Sequence, residues 1–307
     1  MKILFIDTVH LLLKEELEKQ NHICEEAYDK TREEILAIIE NYEGIVLRSR
    51  IKMDEDFLSK CHNLKFIARA GSGLENIDVI EAEKRNIKCF NASEGNRQAV
   101  AEHALGMLLS LFNNLNKSDR EVRNGIWERE GNRGVELAGK TVGIIGFGNN
   151  GSAFAEGLSG FGIRILTYDK YLEKYKFQAT MQEIFQYADI VSLHIPLTAE
   201  TTYLVDEGYI KNFEKPIYII NTARGKCVNT KDLVAAMKNG KVLGACLDVL
   251  EYEKTSFEDL EREELPPELQ YIFDTEKTIL SPHIAGWTQQ SNRKIAEVLF
   301  QKISLLA

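Results

Sequence analysis

Ten short runs of β-branched and aromatic residues recur along the chain, each followed by a stretch with helical spacing. They read "ILFID", "EGIVLRS", "LKFIARAG", "IKCFNAS", "TVGIIGFG", "IRILTYD", "DIVSLHIP", "PIYIINTARG", "VLGACLDVL" and "TILSPHIAG". Strands that are apolar throughout are buried on both faces, and a strand feeding a parallel neighbour needs a crossover helix. The alternation therefore predicts an α/β fold of doubly wound parallel sheets. A chain of 307 residues is long for one core, so two such domains are expected. Two apolar helical stretches interrupt the rhythm, "RQAVAEHALGMLLSLFNNL" (97–115) and "QQSNRKIAEVLFQKISLLA" (289–307), and both are expected to bridge the domains.

Charge and cysteine usage narrow the partners. A net charge of −9 lacks the cationic footprint that displaces counterions from phosphates, which argues against nucleic acid and anionic membranes. Five cysteines, odd in number and without a C-x-x-C pair, point to reduced thiols in a cytoplasmic protein and to no structural metal. The N-terminal "MKILFIDTVH" is too short an apolar run for a secretory signal, and no stretch approaches the roughly 18 apolar residues of a membrane helix. The acidic segment 251–277, "EYEKTSFEDLEREELPPELQYIFDTEK", is expected to be a solvated excursion broken at Pro266-Pro267.

Two glycine motifs compete for a phosphate. "GVELAGKT" (134–141) satisfies G-x-x-x-x-G-K-[ST], but such a loop must leave a strand and open a helix, and here the strand comes after it. It is expected to be a turn. Gly146-Phe147-Gly148-Asn149-Asn150-Gly151 stands in the right order, behind "TVGIIG" and ahead of a helical stretch. Gly146 allows the tight turn, Gly148 lets backbone approach a pyrophosphate, and Gly151 lets the helix pack close to the strand. The next strand ends in Asp169, eighteen residues past Gly151, where a carboxylate accepts from a ribose 2′-hydroxyl and repels a 2′-phosphate. NAD is thus favoured over NADP.

Ligands of open parallel sheets bind beyond the carboxyl ends of the strands. In this half those ends carry His194, Arg224, Asp248 with Glu253, and His283. A guanidinium can clamp a carboxylate in a bidentate pair, and an imidazole oriented by a neighbouring carboxylate can exchange a hydroxyl proton. Those are the needs of 2-hydroxy acid oxidation. In the other half Arg48 and Arg50 of "LRSRIK", with Arg69, offer positive charge for a second anionic group, or else pair with the carboxylates of an acidic chain.

Taken in order, "RAGSGLENID", "AVAEHALGMLL", "LAGKTVGIIGFGNNG", "HIPLTAETTYL", "NTARGKCV", "LDVLEYE" and "SPHIAGWT" resemble the D-isomer-specific 2-hydroxyacid dehydrogenase family over essentially the whole chain. The resemblance implies a flavodoxin-like substrate domain, discontinuous over 1–97 and 288–307, with a central Rossmann NAD-binding domain, 98–287, inserted into it and a cleft between. It implies Arg224 as the carboxylate-binding arginine, His283 as acid/base and Glu253 as its partner. Gly146, Gly148, Asn149, Asn150, Gly151, Asp169, His194, Ile195, Pro196, Thr222, Ala223, Asp248 and Gly286 would line the cofactor, NAD. Ser72 and Gly73 would offer backbone amides, and Arg48 and Arg50 would hold a substrate phosphate. The branch most resembled acts on 3-phosphoglycerate, which implies its oxidation to 3-phosphohydroxypyruvate in serine synthesis by a homodimer. Another 2-hydroxy acid, or a non-catalytic NAD sensor on the same fold, stands as the alternative.

Three departures from the family pattern qualify these assignments. Glu253 is followed by Lys254 where proline is common, which leaves Glu251 as a second candidate carboxylate. Asn150 replaces a small apolar residue beside the dinucleotide. The chain stops at the second bridging helix, so a regulatory extension is not expected.

Overall fold

The computed structural model describes residues 1–253 and 266–306. The described residues of Met1–Arg97 and Trp287–Ala307 form one compact unit, and those of Gln98–Lys254 and Glu258–Gly286 form another.

The first unit is a five-stranded sheet of β1 (Lys2–Phe5), β2 (Ile23–Glu26), β3 (Gly44–Leu47), β4 (Phe66–Arg69) and β5 (Lys88–Phe90). Every pairing is parallel, in the order β2-β1-β3-β4-β5, so the winding reverses between β1 and β3. Ile3, Phe5, Val46 and Phe66 point to one face and meet Leu13 and Leu17 of helix Leu11–Lys19 and Ala296, Leu299 and Ile303 of helix Gln289–Ser304. Burying these side chains contributes about 1.5–3 kcal/mol for each large one. The final helix is started by Thr288, whose side chain accepts from the Ser291 amide in a capping box. It belongs wholly to the first unit, so the expectation that it bridges is corrected; the chain crosses before it, at Gly286 and Trp287.

The second unit holds β6 (Thr141–Ile145), β7 (Arg164–Tyr168), β8 (Ile190–Leu193), β9 (Ile217–Asn221), β10 (Val242–Leu247) and β11 (Thr278–Leu280). All pairings are parallel, in the order β7-β6-β8-β9-β10-β11. An isolated parallel bridge between Thr167 and Gln178 adds the trace of a further strand outside β7. With it the order becomes that of a dinucleotide-binding fold, and the switch point lies between β6 and β8. Helix Ser93–Phe112 lays Ala101, Ala104, Met107, Leu108 and Phe112 on one face of this sheet, and the boundary between the units falls inside it, after Arg97.

Other expectations shift in detail. Strand β2, "ICEE", is absent from the ten apolar runs because it is an edge strand, with Ile23 largely exposed. The long helix stops at Phe112, and Asn114, in the left-handed region at φ 52°, starts a separate helix Leu115–Arg123. "GVELAGKT" is a turn running into β6. Of the acidic segment, 254–265 lies outside the described residues. Its later part is not a solvated excursion, since Pro267 opens helix Pro267–Asp274 and buries Leu269 and Ile272 in the core. No helix among the described residues is long and apolar enough to cross a membrane.

Candidate active site

At the end of β6 the chain turns through Gly146 at φ +91°, where a Cβ would stand 2.4 Å from the His194 carbonyl oxygen. A Cβ on Gly151 would stand 2.0 Å from the Gly146 carbonyl oxygen. Both positions are closed to any side chain. Gly148 differs: its φ of −71° suits any residue, and nothing lies within 4 Å of where its Cβ would be. It caps helix Asn149–Gly157, and being glycine it offers the first amides no side-chain hydrogen bond. Uncapped amides and the positive end of the helix dipole form an anion site.

Two buried polar atoms have no partner among the described residues, Asn150 Oδ1 in the helix that leaves this turn and Thr222 Oγ1 just past β9. Unsatisfied buried acceptors and donors cost about 1–3 kcal/mol each, so they fit a site whose ligand completes them. Asp169 sits between the turn and its own loop, one carboxylate oxygen accepting from the Phe147 amide (2.8 Å) and the other from those of Tyr171 and Leu172 (2.9 and 3.1 Å). His194 contributes only backbone to the rim. Its ring lies 5.3 Å from that of Phe154, with Nε2 2.8 Å from Ser192 Oγ, and burial pushes the imidazole down to about 3. Ile195 packs against Gly146, while Pro196 is exposed.

Past β9 a second cluster assembles. Asn221 is fully buried; its Oδ1 accepts from the Ala223 amide (3.0 Å) and its Nδ2 donates to the Arg224 carbonyl (2.9 Å). This side chain is the template that turns the backbone at Arg224. The Arg224 guanidinium donates to the Ala223 carbonyl at 2.6 Å. A Cβ on Gly225 would stand 1.9 Å from the Leu250 carbonyl oxygen, so the arginine loop lies directly on the loop that leads to Glu253. Glu253 in turn accepts from the Leu250 amide and, at 2.6 Å, from His283 Nδ1. Glu251 accepts instead from Tyr203 Oη (2.8 Å) and the Thr230 amide (2.9 Å), so of the two candidate carboxylates Glu253 is the one seen paired with His283.

His283 holds a left-handed φ of +57°, a conformation that costs a non-glycine residue about 1–3 kcal/mol and persists only where its surroundings enforce it. The enforcement comes from Asp248. Its carbonyl accepts from the His283 amide (2.7 Å), and its carboxylate accepts from Ser281 Oγ (2.6 Å), the Ile284 amide (2.8 Å) and the Ala285 amide (2.9 Å). Expected to line the cofactor, Asp248 is instead 1% exposed and shapes the loop that carries His283 and Gly286.

In the first unit the sequence-predicted residues lie past the ends of β3 and β4. Asn91 Nδ2 holds the Ser72 carbonyl (2.7 Å), Arg69 holds that of Gly73 (2.9 Å), and Ser72 Oγ donates to Asn96 (2.8 Å). The Ser72 and Gly73 amides donate to no acceptor among the described residues. Arg48 stacks its guanidinium 4.2 Å from the centre of the Trp287 ring, and no carboxylate pairs with it among the described residues. Arg50 is a correction. Its guanidinium is occupied by Asp7 (3.1 Å) and the carbonyls of Ile6, Ala27 and Lys30, so it ties strand ends together and has little left for a phosphate.

Asn221, Ser281, His103, Asp7 and Trp287 escaped sequence reasoning. Ser281, His103 and Asp7 are ordinary polar residues whose partners lie far along the chain, and Asn221, although it bonds the nearby Ala223 and Arg224, sits in no spacing that flags it. Trp287, an aromatic four residues past His283, was the one visible signal.

The model of the D-isomer specific 2-hydroxyacid dehydrogenase NAD binding domain matches residues 105–285. A hydroxypyruvate reductase of Thermotoga maritima is 32% identical over 95% of this chain and 92% of its own length. The chain belongs to the D-isomer specific 2-hydroxyacid dehydrogenase family, and its second unit is the family's NAD-binding domain. A D-3-phosphoglycerate dehydrogenase of Archaeoglobus fulgidus is 31% identical over the full chain, which spans only 57% of that relative. Among solved structures, the D-lactate dehydrogenase of Aquifex aeolicus, complexed with NAD and lactic acid, superposes with a TM-score of 0.82 at 26% identity, covering 100% of this chain and 95% of that one. Both sheets of this chain are parallel and doubly wound, as a protein of this family requires.

Proposed function

We propose that the protein is an NAD-dependent oxidoreductase interconverting a D-2-hydroxy acid and its 2-keto acid, with 3-phosphoglycerate as the leading substrate. One observation carries the reading: an imidazole fixed by a carboxylate at 2.6 Å, on a loop adjoining the turn that presents Arg224. Nδ1 of His283 is paired with Glu253, and the reading assigns exchange of the substrate hydroxyl proton to Nε2. Arg224 orients the acid by its carboxylate and polarises the oxygen on C2. NAD, when bound, takes up or returns the two electrons and the hydrogen of C2. Gly148, the first amides of helix Asn149–Gly157, Asn150 and Thr222 are its candidate holders. Asp169 disfavours a 2′-phosphate, and the neighbouring cation, Lys170, is neutralised by Glu200 at 2.6 Å.

On the first unit, Ser72, Gly73 and Arg48 are the candidates for the substrate's anionic groups. A second reading, an unphosphorylated acid such as hydroxypyruvate, draws support from Arg50 and Arg69, whose guanidinium groups are engaged inside the protein. NADH oxidation measured with 3-phosphohydroxypyruvate, hydroxypyruvate, glyoxylate and pyruvate separates the two. Preference for the phosphorylated acid is expected; preference for another sinks the phosphate reading. No turnover with any moves the protein to the sensor class. We also propose a homodimer formed through the arm that follows helix Ser93–Phe112, where Leu115, Val122, Ile126 and Trp127 are exposed, the last at 80%. A monomeric mass by light scattering at micromolar concentration overturns that.

A further inference from the structure

The loop that carries His283 is tied to helix Ser93–Phe112 by one hydroxyl. Ser281 Oγ lies 2.6 Å from Asp248 Oδ1 and 2.8 Å from His103 Nε2. Ser281 has a single hydroxyl proton, and an aspartate oxygen that already takes the Ile284 amide is an acceptor. The hydroxyl therefore donates to Asp248 and accepts from His103, which fixes a proton on His103 Nε2. His103 Nε2 also lies 3.6 Å from Asp248 Oδ1, close enough to add attraction to the same oxygen. In this arrangement the two oxygens of Asp248 hold Ser281, Ile284 and Ala285 at once, and its carbonyl holds the His283 amide.

We propose that His103, 180 positions before His283 in the chain, is a positioning residue for it, acting through Ser281 and Asp248 to keep the loop in the left-handed turn that aims the imidazole. The inference rests on the reading of His283 as the acid/base. Without the His103 donor the Ser281 hydroxyl keeps its acceptor, Asp248 Oδ1, but loses this tie to helix Ser93–Phe112, with Met107 Sδ, at 3.8 Å, as its further neighbour among the described residues. The loop then relaxes toward ordinary φ and the ring leaves Glu253. A displacement of about 1 Å far from the chemistry costs on the order of 10²-fold in rate.

The test uses the full chain with His103→Leu, His103→Gln and Ser281→Ala. In His103→Leu, kcat should fall roughly 10- to 100-fold while the NADH dissociation constant, read by fluorescence, stays within about twofold. His103→Gln returns an N–H of similar reach and should recover most of the loss. Ser281→Ala, which removes less volume, should reproduce the leucine variant and serves if that one does not fold. A crystal structure of either deficient variant should show the His283–Glu253 pair opened. An unchanged kcat, a loss that glutamine does not restore, or a pair still closed overturns the proposal. If the parent protein turns over no 2-keto acid, the dehydrogenase reading fails instead, and the crystal structure still decides the role of His103.

Discussion

At the point where its strand order reverses, the first unit sets Asp7 after β1 and Arg48 to Arg50 after β3, and the Asp7 carboxylate accepts from the Arg48 amide (2.6 Å) and from Arg50 Nε (3.1 Å). At the equivalent point of the second unit stand Gly146 and Gly148 after β6, and the backbone of His194 after β8. One point is stitched by charged side chains, while at the other Gly146 admits no side chain and Gly148 carries none. Two sheets of the same winding therefore offer the same place for a ligand, and what decides occupancy is the content of two short loops. The contrast shows why fold alone would have assigned a nucleotide to either half.

The sharpest way to break this contrast is at the chemistry. Arg224→Ala should lower kcat/KM by about 10²–10³-fold with NADH affinity retained, and steady-state kinetics beside a fluorescence titration checks both. An unaltered kcat/KM would remove the arginine from the site. Next, Gly148→Ala fills the open position among Gly146, Gly148 and Gly151 without touching protein, so NADH affinity should drop roughly tenfold with stability held within about 0.5 kcal/mol. Loss of stability instead would mean that the space belongs to folding. On the stitched side the expected effect is reversed: Asp7→Ala should cost about 1–3 kcal/mol in urea unfolding and leave NADH affinity unchanged.

The smallest effect concerns acid. Burial holds His194 down to about 3 against an ordinary value of 6.5, so between those limits the unfolded chain binds a proton that the folded one refuses. Its contribution is complete above about pH 6.5 and is lost as pH falls toward about 3. His194→Gln should narrow the difference between unfolding midpoints at about pH 7 and about pH 5; an identical difference would show that the buried ring does not set the acid sensitivity.

Much of this was legible where sterics or burial leave one choice. Ten of the eleven strands among the described residues carry one of the apolar runs and announce themselves; β2 does not, because an edge strand with exposed positions can read "ICEE". The glycine turn is legible because two of its positions admit no Cβ. Arg50 was misread because its partner, Asp7, lies 43 residues away, and a basic residue at a strand end looks the same whether it faces a ligand or a carbonyl. The acidic character of 251–277 hid Leu269 and Ile272, whose burial depends on a helix that begins only at Pro267. Asp248 was located correctly at a strand end, but its use as a loop template is written in four amide and hydroxyl groups that belong to residues 281–285.

The backbone at position 283 would be more at ease with glycine or asparagine, the residues that enter positive φ most cheaply. A library screened for heat resistance alone should therefore discard the histidine and gain about 1 kcal/mol or more by doing so. Selection for turnover must hold on to it against that gradient, and the two screens run side by side would separate what this loop does for the fold from what it does for the reaction.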